Sequence, residues 1–575
     1  MKKAFVYTYY FLLTFFLFSA TATAQTYSTP SSELVKVEDL WYKNIVIYNL
    51  DLDAFKDSDG DGIGDFQGLI QKLDYLEFLG VDAIWLAPFQ PSPMEDNGYD
   101  ITDYYGVNNR FGTGGDFAEF VYQAKKRGMR IITDLVINHT SIEHPWFQKA
   151  REDKNSKYRD WYIWSEERPD EWNEGMVFPG VQEETWTFDE KAGEYYYHRF
   201  YKFQPGLNMH NPEVQNEIRK IIGYWLTLGI DGFRLDAVPF IIEDPFSDND
   251  DPDYNFDFIT DIRSFVQWRR GDAIILGEAN VLPEETKEYF GDKGSGMHMM
   301  FNFFANQHLF YALAAASPGP LKESLESTRD IPPVAQWAHF LRNHDELDLG
   351  RLTDEKRQEI YAAFGPEENM QLYDRGIRRR LAPMLNNRKQ LEMANSLIFS
   401  LPGTPVIRYG DEIGMGDDLS LEERNAVRTP MQWSDDKNAG FSTADSTFRP
   451  VIDEGPYSYH KVNVQEQRQD QNSLLNWTAR LIRMRKDCPE IGLGDWKILE
   501  TGSPQVLAIR YFLQDKSVLV IHNFSEKPQQ IQLTEGDAGK TLLSLQEQKT
   551  SKAGKQGSHQ LKLEGYGYRW YRVKN

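Results

Sequence analysis

Three carboxylates, Asp236, Glu278 and Asp345, each stand in a short polar cluster that follows an apolar run of strand length: Arg234-Leu-Asp236, Gly277-Glu278-Ala-Asn280 and Arg342-Asn-His-Asp-Glu346. A fourth cluster, Asp134-Leu-Val-Ile-Asn-His139, has the same placement. Cleaving a glycosidic bond with retention requires two carboxyl groups about 5 to 5.5 Å apart, one to attack the anomeric carbon and one to protonate the leaving oxygen. Asp236 and Glu278 end consecutive candidate strands, which can bring them that close. Arg234 points the same way as Asp236 along an extended chain and would keep that carboxylate ionised as nucleophile. Glu278, crowded by Asp236 and Asp345, would retain its proton and serve as acid. Asp345 would stabilise positive charge on the distorted sugar ring. His139 and His344 are candidate donors to sugar hydroxyls. No His pair has ligand spacing on one helix and no Gly-x-Ser-x-Gly elbow stands out, so metal-hydrolase and serine chemistry have little support.

The elements that must position these groups are legible as eight apolar runs rich in β-branched and aromatic residues, at 45–50, 81–86, 129–136, 230–236, 273–278, 297–301, 337–341 and 405–409. Near-continuous apolarity suits strands buried on both faces of a parallel sheet. Helical periodicity lies between several of them, as in Phe117, Phe120, Val121 and Ala124, or Ile218, Ile221, Ile222 and Trp225, with Gly128 and Gly229 as stops. The alternation predicts an α/β fold, a (β/α)8 TIM barrel, whose C-terminal strand ends face the active site; a doubly wound sheet is the alternative. The stretch after His139 carries no convincing barrel strand and predicts an inserted B domain over 140–210. The catalytic barrel is expected over 38–139 and 211–490. From 491 to 575 short alternating runs separated by polar turns predict a C-terminal antiparallel β-sandwich domain.

At 575 residues and 41% hydrophobic the chain can bury a large core and more than one domain. A formal charge of -24 disfavours nucleic acid and anionic membranes, leaving a neutral or cationic solute as partner. The single cysteine, Cys488, excludes an intramolecular disulfide. Lys2 and Lys3 precede an apolar stretch over 4–20 and the small residues Ala22-Thr-Ala24, the pattern of a signal peptide over 1–24 cleaved after Ala24. The mature protein would be secreted or periplasmic, without stable membrane insertion once the signal is removed, and would begin with a linker over 25–37. The acidic loop 243–253 is expected to be a solvated surface. In Asp57-Ser-Asp-Gly-Asp-Gly-Ile-Gly-Asp65 carboxylates recur at every second position between glycines. Asp57, Asp59, Asp61 and Asp65 with the carbonyl of Ile63 would suit a structural Ca2+, or Mg2+, and an acidic turn capping the next helix is the alternative. No organic cofactor is indicated.

At its four polar clusters the chain resembles the α-amylase superfamily, glycoside hydrolase family 13: Asp134-x3-Asn138-His139, Gly232-Phe-Arg-Leu-Asp236, Glu278 and Asn343-His-Asp345 match its conserved regions in order. The resemblance implies Asp236 as nucleophile, Glu278 as acid/base and Asp345 as transition-state stabiliser, with Tyr99, Asp100, His139, Arg234 and His344 binding the sugar. Asp57 to Asp65, Gly98-Tyr-Asp100 and Arg428-Thr-Pro-Met-Gln-Trp433 look like the branch of oligo-1,6-glucosidases, α-glucosidases and trehalose synthases. That branch is exo-acting and pairs an Asp with an Arg around the terminal glucose; Asp100 and Arg428 are the matching positions. The segments 376–383, 340–347 and 410–416 look most like the trehalose synthases, implying interconversion of maltose and trehalose. Hydrolysis of malto- or isomalto-oligosaccharides, and an inactive glycan-binding barrel, are the alternatives. Gly206 stands where the branch usually has an acid, Arg408 replaces a common tyrosine, and the export signal is unusual for these enzymes.

Overall fold

The computed structural model describes residues 37–244, 254–533, 541–547, 549–552 and 558–574. The signal-peptide reading, nearly all of the linker and the acidic loop from 245 on lie outside the described residues. Trp41–Asn575 form one compact unit, to which everything below applies.

Eight parallel strands close into a barrel in chain order: β1 (Ile47–Leu50), β2 (Ala83–Leu86), β3 (Arg130–Leu135), β4 (Gly232–Leu235), β5 (Ile274–Gly277), β6 (Met299–Phe301), β7 (Gln336–Phe340) and β8 (Thr404–Arg408). Each lies within, or overlaps, one of the eight apolar runs. Seven of the strands are buried throughout, and β3 except at Arg130, because every strand is covered by barrel interior on one face and helices on the other. The register sets Leu235 of β4 opposite Gly277 of β5, so the next residues, Asp236 and Glu278, emerge side by side.

The outer helices follow the expected periodicity. Gly114–Lys126 starts on a Thr113/Asp116 capping box and buries Phe117, Phe120, Val121 and Ala124. Pro212–Thr227 is capped by Asn211, has Pro at its first position, and buries Ile218, Ile221, Ile222 and Trp225. Among the described residues no helix is long and apolar enough to cross a membrane.

Three excursions leave the barrel. After β3 the chain forms a helix, Pro145–Glu152, and an antiparallel sheet of Trp164–Ser165, Glu194–Tyr197 and Trp186–Asp189 in that spatial order, then returns beside its point of departure through a His139–Gly206 bridge. Between β7 and β8, unanticipated from sequence, lie the helix Asp354–Phe364 and a sheet of Leu347–Asp348, Gly376–Ile377 and Gln371–Leu372. From Asp495 on, the described residues form six antiparallel strands in one sheet and two, Gln529–Leu533 and His559–Leu563, in another. Alternation divides their work: Val506, Ala508, Leu519 and Ile521 pack against Ile531, Leu533 and Leu563 of the smaller sheet, whereas Leu507, Ile509, Tyr511 and Trp570 join the main core.

Gly232, where β4 begins, is a point where the barrel has no spare room: a Cβ there would stand 2.6 Å from Ile274 Cγ1 and 3.0 Å from the Ile274 carbonyl oxygen. Gly232→Ala is expected to cost about 1–3 kcal/mol through overpacking, read as a lower unfolding midpoint in scanning calorimetry. An unchanged midpoint would show that β4 and β5 can separate freely.

Candidate active site

The strand ends deliver a buried ionic cluster centred on Arg234, which is 1% exposed. Its Nη1 donates to Asp134 Oδ1 at 2.7 Å and to Asp236 Oδ1, and its Nη2 lies 2.6 Å from Glu278 Oε1. One guanidinium therefore serves three carboxylates. Asp134 is steadied further by the indole N–H of Trp85 at 3.0 Å. Glu278 Oε2 accepts the backbone N–H of Ala237 at 2.9 Å. Ala237 achieves this with φ of +50°, a left-handed conformation unusual for a residue with a Cβ, directly after Asp236.

Asp345, beyond β7, is supplied more generously. Its Oδ1 accepts from Arg424 Nη1 at 2.9 Å and Arg428 Nη2 at 3.1 Å, and its Oδ2 lies 3.0 Å from His344 Nε2. Tyr99 stacks on His344, with its hydroxyl 2.7 Å from the same nitrogen. His139 Nε2 meets the Tyr99 carbonyl at 3.1 Å.

Electrostatics sort these acids. Burial pushes Asp236 up to about 6, with Arg234 opposing and Asp134 reinforcing the rise. Burial, opposed by Arg234 and aided by the charges of Asp236 and Asp345, pushes Glu278 up to about 7. Asp345 is half-buried, yet His344 and Arg424 beside it hold it well below the usual carboxylate range. Burial lowers His139 and His344 to about 4, so both are neutral at physiological pH. Arg234 pairs with Asp236, but its charge is divided among Asp134, Asp236 and Glu278, and burial outweighs its hold on Asp236.

These groups line a cavity of about 550 Å³. Met176, Val177, Phe178 and Phe200 of the inserted segment wall one side, and Glu346, Asp348 and Arg375 of the β7–β8 excursion wall another. Tyr99, His139, Arg234, Asp236, Glu278, His344 and Asp345 all face it.

Two expected residues do not pair as anticipated. Asp100 is fully buried with its oxygens turned into its own loop, accepting from Ser92 Oγ at 2.8 Å and from the backbone N–H groups of Glu95 at 3.0 Å and Asp96 at 3.2 Å. The carboxylate that reaches the cavity is Asp96, which accepts from Arg424 Nη2 at 2.9 Å and Gln204 Nε2 at 2.9 Å. The Asp–Arg pair that lines the cavity is thus Asp96 with Arg424, not Asp100 with Arg428. Arg428 braces Asp345 from outside the main cavity and donates to the His344 carbonyl at 2.8 Å. Positive φ at Asn97 (+51°) and Gly98 (+99°) lies between Asp96 and Tyr99, both of which line the cavity. The available signal was a second acid three residues before Tyr99 and a second arginine four residues before Arg428.

Arg408 and Gly206 also lie outside this cavity. Arg408 is buried, doubly paired with Asp51 and bonded to Asn49 at 2.8 Å, sealing β8 to β1. Gly206 packs against Tyr197, whose Cδ1 would be 3.3 Å from an added Cβ.

In the acidic loop, ligand oxygens of Asp57, Asp59 and Asp61 lie within 4.8 Å of one another, a set of hard donors. Among the described residues none of the three is paired with a lysine or arginine. Asp65 does not join them: Oδ1 caps the helix Phe66–Gln71 through Gly68 N at 2.7 Å, and Oδ2 takes Ser58 N at 2.8 Å. Ile63 donates its N–H to Asp61 Oδ1 at 2.8 Å.

Comparison with known proteins agrees with this geometry. Residues 50–364 and 369–494 match the family model for the alpha amylase catalytic domain, and residues 516–572 that for the sucrose hydrolase-like C-terminal domain. A trehalose synthase from Thermus thermophilus is 44% identical over 502 residues, 86% of this chain; the chain spans about half, 52%, of that relative's length. A trehalose synthase/amylase from Mycobacterium tuberculosis is 42% identical over 553 residues, covering 94% of this chain and 92% of the relative. The crystal structure of an alpha-amylase from H. orenii superposes with a TM-score of 0.75 at 29% identity, over 92% of this chain and all of that one. With the family's catalytic-domain model matched along most of its length and a buried carboxylate cluster at its barrel mouth, this chain belongs to the α-amylase family, glycoside hydrolase family 13.

Proposed function

We propose that this protein is an α-retaining glucosyl-transferring enzyme that acts on short α-glucosides and interconverts maltose and trehalose. The observation that carries the reading is the pair of adjacent carboxyl groups, Asp236 and Glu278, sharing one buried guanidinium in a cavity also lined by the paired Asp96 and Arg424. Asp236, the more readily ionised of the pair, attacks the anomeric carbon. Glu278 gives its proton to the departing glucose, and Asp345, always ionised, stabilises the oxocarbenium-like transition state. The glucose stays in the cavity, turns, and attacks through a different hydroxyl as Glu278 takes back a proton. The trehalose synthase relatives support this outcome. The mycobacterial relative is named both synthase and amylase, and water reaching the same glucosyl-enzyme would make this protein an α-glucosidase.

Asp57, Asp59 and Asp61 would hold a structural Ca2+ ion that fastens the loop after β1 to the segment carrying Ser442, whose hydroxyl donates to Asp57 at 2.5 Å. The N-terminal sequence supports export, with the mature chain starting at Gln25.

With maltose, anomeric NMR signals of trehalose are expected to appear ahead of those of free glucose; glucose alone would replace isomerisation by hydrolysis. The pH profile of kcat/KM should be a narrow bell. Its acid limb falls near 6, where Asp236 becomes protonated and cannot attack, and its alkaline limb near 7, where Glu278 loses the proton it must donate. Glu278→Gln should abolish the alkaline limb, and Asp236→Asn should lower kcat by about 10⁴-fold while leaving the fold intact; a nearly active Asp236→Asn protein would exclude this residue as nucleophile. Chelation by EDTA should lower the unfolding midpoint, with Ca2+ restoring it, and Asp59→Asn should remove that response.

A further inference from the structure

Arg424 reaches Asp96 and Asp345 from a loop whose only regular structure is the short 3-10 turn Glu423–Val427. Other side chains hold that loop. Arg378 donates to the carbonyls of Leu421 and Glu423 through Nη1, at 2.6 and 3.0 Å, and to that of Leu419 through Nη2 at 2.9 Å. Among the described residues the Glu423 carboxylate forms no ion pair with Arg424; its Oε2 accepts from two phenols, Tyr201 at 2.8 Å and Tyr373 at 2.6 Å.

These phenols come from different parts of the chain. Tyr201 belongs to the inserted segment and Tyr373 to the β7–β8 excursion. Phe178 lies among them, 4.8 Å from the Tyr201 ring, 4.9 Å from the Tyr373 ring, and 5.0 Å from the Arg424 guanidinium. Both ends of the shortest of these bonds are conformationally costly: φ is +43° at Glu423 and +57° at Tyr373, the left-handed region that disfavours any residue with a Cβ. Strain at two residues from separate loops, joined by their own side chains, marks a constraint that surrounding contacts impose.

We propose that Glu423 is a positioning residue which, through Tyr201 and Tyr373, aims Arg424 at Asp96 and Asp345 and so sets how tightly the terminal glucosyl unit is held. The inference rests on the glucosyl-transfer reading and adds to it a residue that does not touch substrate. Without the carboxylate, Arg424 keeps its charge but loses its fixed direction. The glucosyl unit is then held less firmly, and water competes better with the departing sugar.

The test compares Glu423→Gly, which removes the carboxylate yet suits the left-handed backbone, with Glu423→Gln, whose amide oxygen can still accept from both phenols. With maltose, Glu423→Gly is expected to raise KM about tenfold, the loss of a hydrogen bond to a charged group, and to raise the share of glucose among products. Glu423→Gln should restore KM to within about twofold of the parent. The double variant Tyr201→Phe/Tyr373→Phe, which leaves residue 423 untouched, should reproduce the Glu423→Gly result and decides the matter if Glu423→Gly fails to fold. Unchanged KM and product ratio in the double variant, or a lowered unfolding midpoint as its sole effect, would overturn the proposal. KM for p-nitrophenyl α-glucoside is measured in parallel: it reports on Arg424 even if maltose yields no trehalose, separating failure of this inference from failure of the reading beneath it.

Discussion

The site depends on how few positive charges are shared among how many buried carboxylates. Arg234 faces Asp134, Asp236 and Glu278 together, and one guanidinium cannot compensate three anions removed from water. Proton affinity therefore rises across the group, and Glu278, which also feels the charges of Asp236 and Asp345, rises to the highest value of the three. Asp345 has the opposite allotment, with Arg428, an Arg424 that it shares with Asp96, and the neutral His344 around it. The difference in allotment is what separates two carboxyl groups of raised proton affinity from a permanently ionised neighbour, although all line one cavity.

The barrel supplies this distribution because its strands are parallel and consecutive. Arg234 and Asp236 issue from one strand, Glu278 from the next, and Asp134 from the one before, so their side chains meet without any loop having to find its place. Asp345 stands farther round the barrel and receives its arginines from the segment after β8. The remaining walls are built by excursions from the barrel. Phe178, Tyr201, Tyr373 and Glu423 bring the insert, the β7–β8 excursion and the post-β8 loop to one place beside the cavity.

Where the sequence could be read directly, burial was the reason. All eight strands were legible because two-sided burial leaves a near-continuous apolar run, and the Asp236, Glu278 and Asp345 trio because polar residues at the ends of such runs have one face of the barrel to occupy. Helices 114–126 and 212–227 were legible from their apolar spacing and end signals. The excursion between β7 and β8 was not, since its strands are two residues long and carry no periodicity.

Within loops the sequence determined composition but not direction. It placed two acids in Asp96-Asn-Gly-Tyr-Asp100 and two arginines in Arg424-Asn-Ala-Val-Arg428, and only the folded backbone decided which of each pair faces the cavity. It placed alternate carboxylates over Asp57 to Asp65, and only the helix that starts after Asp65 decided that this one acts as a cap instead of joining the cluster. The residue types present, and so the chemistry available, follow from the chain by itself. Orientation follows from backbone angles, from local caps such as Asp65 with Gly68, and from partners hundreds of residues away such as Asp96 and Arg424, which the closed barrel brings together.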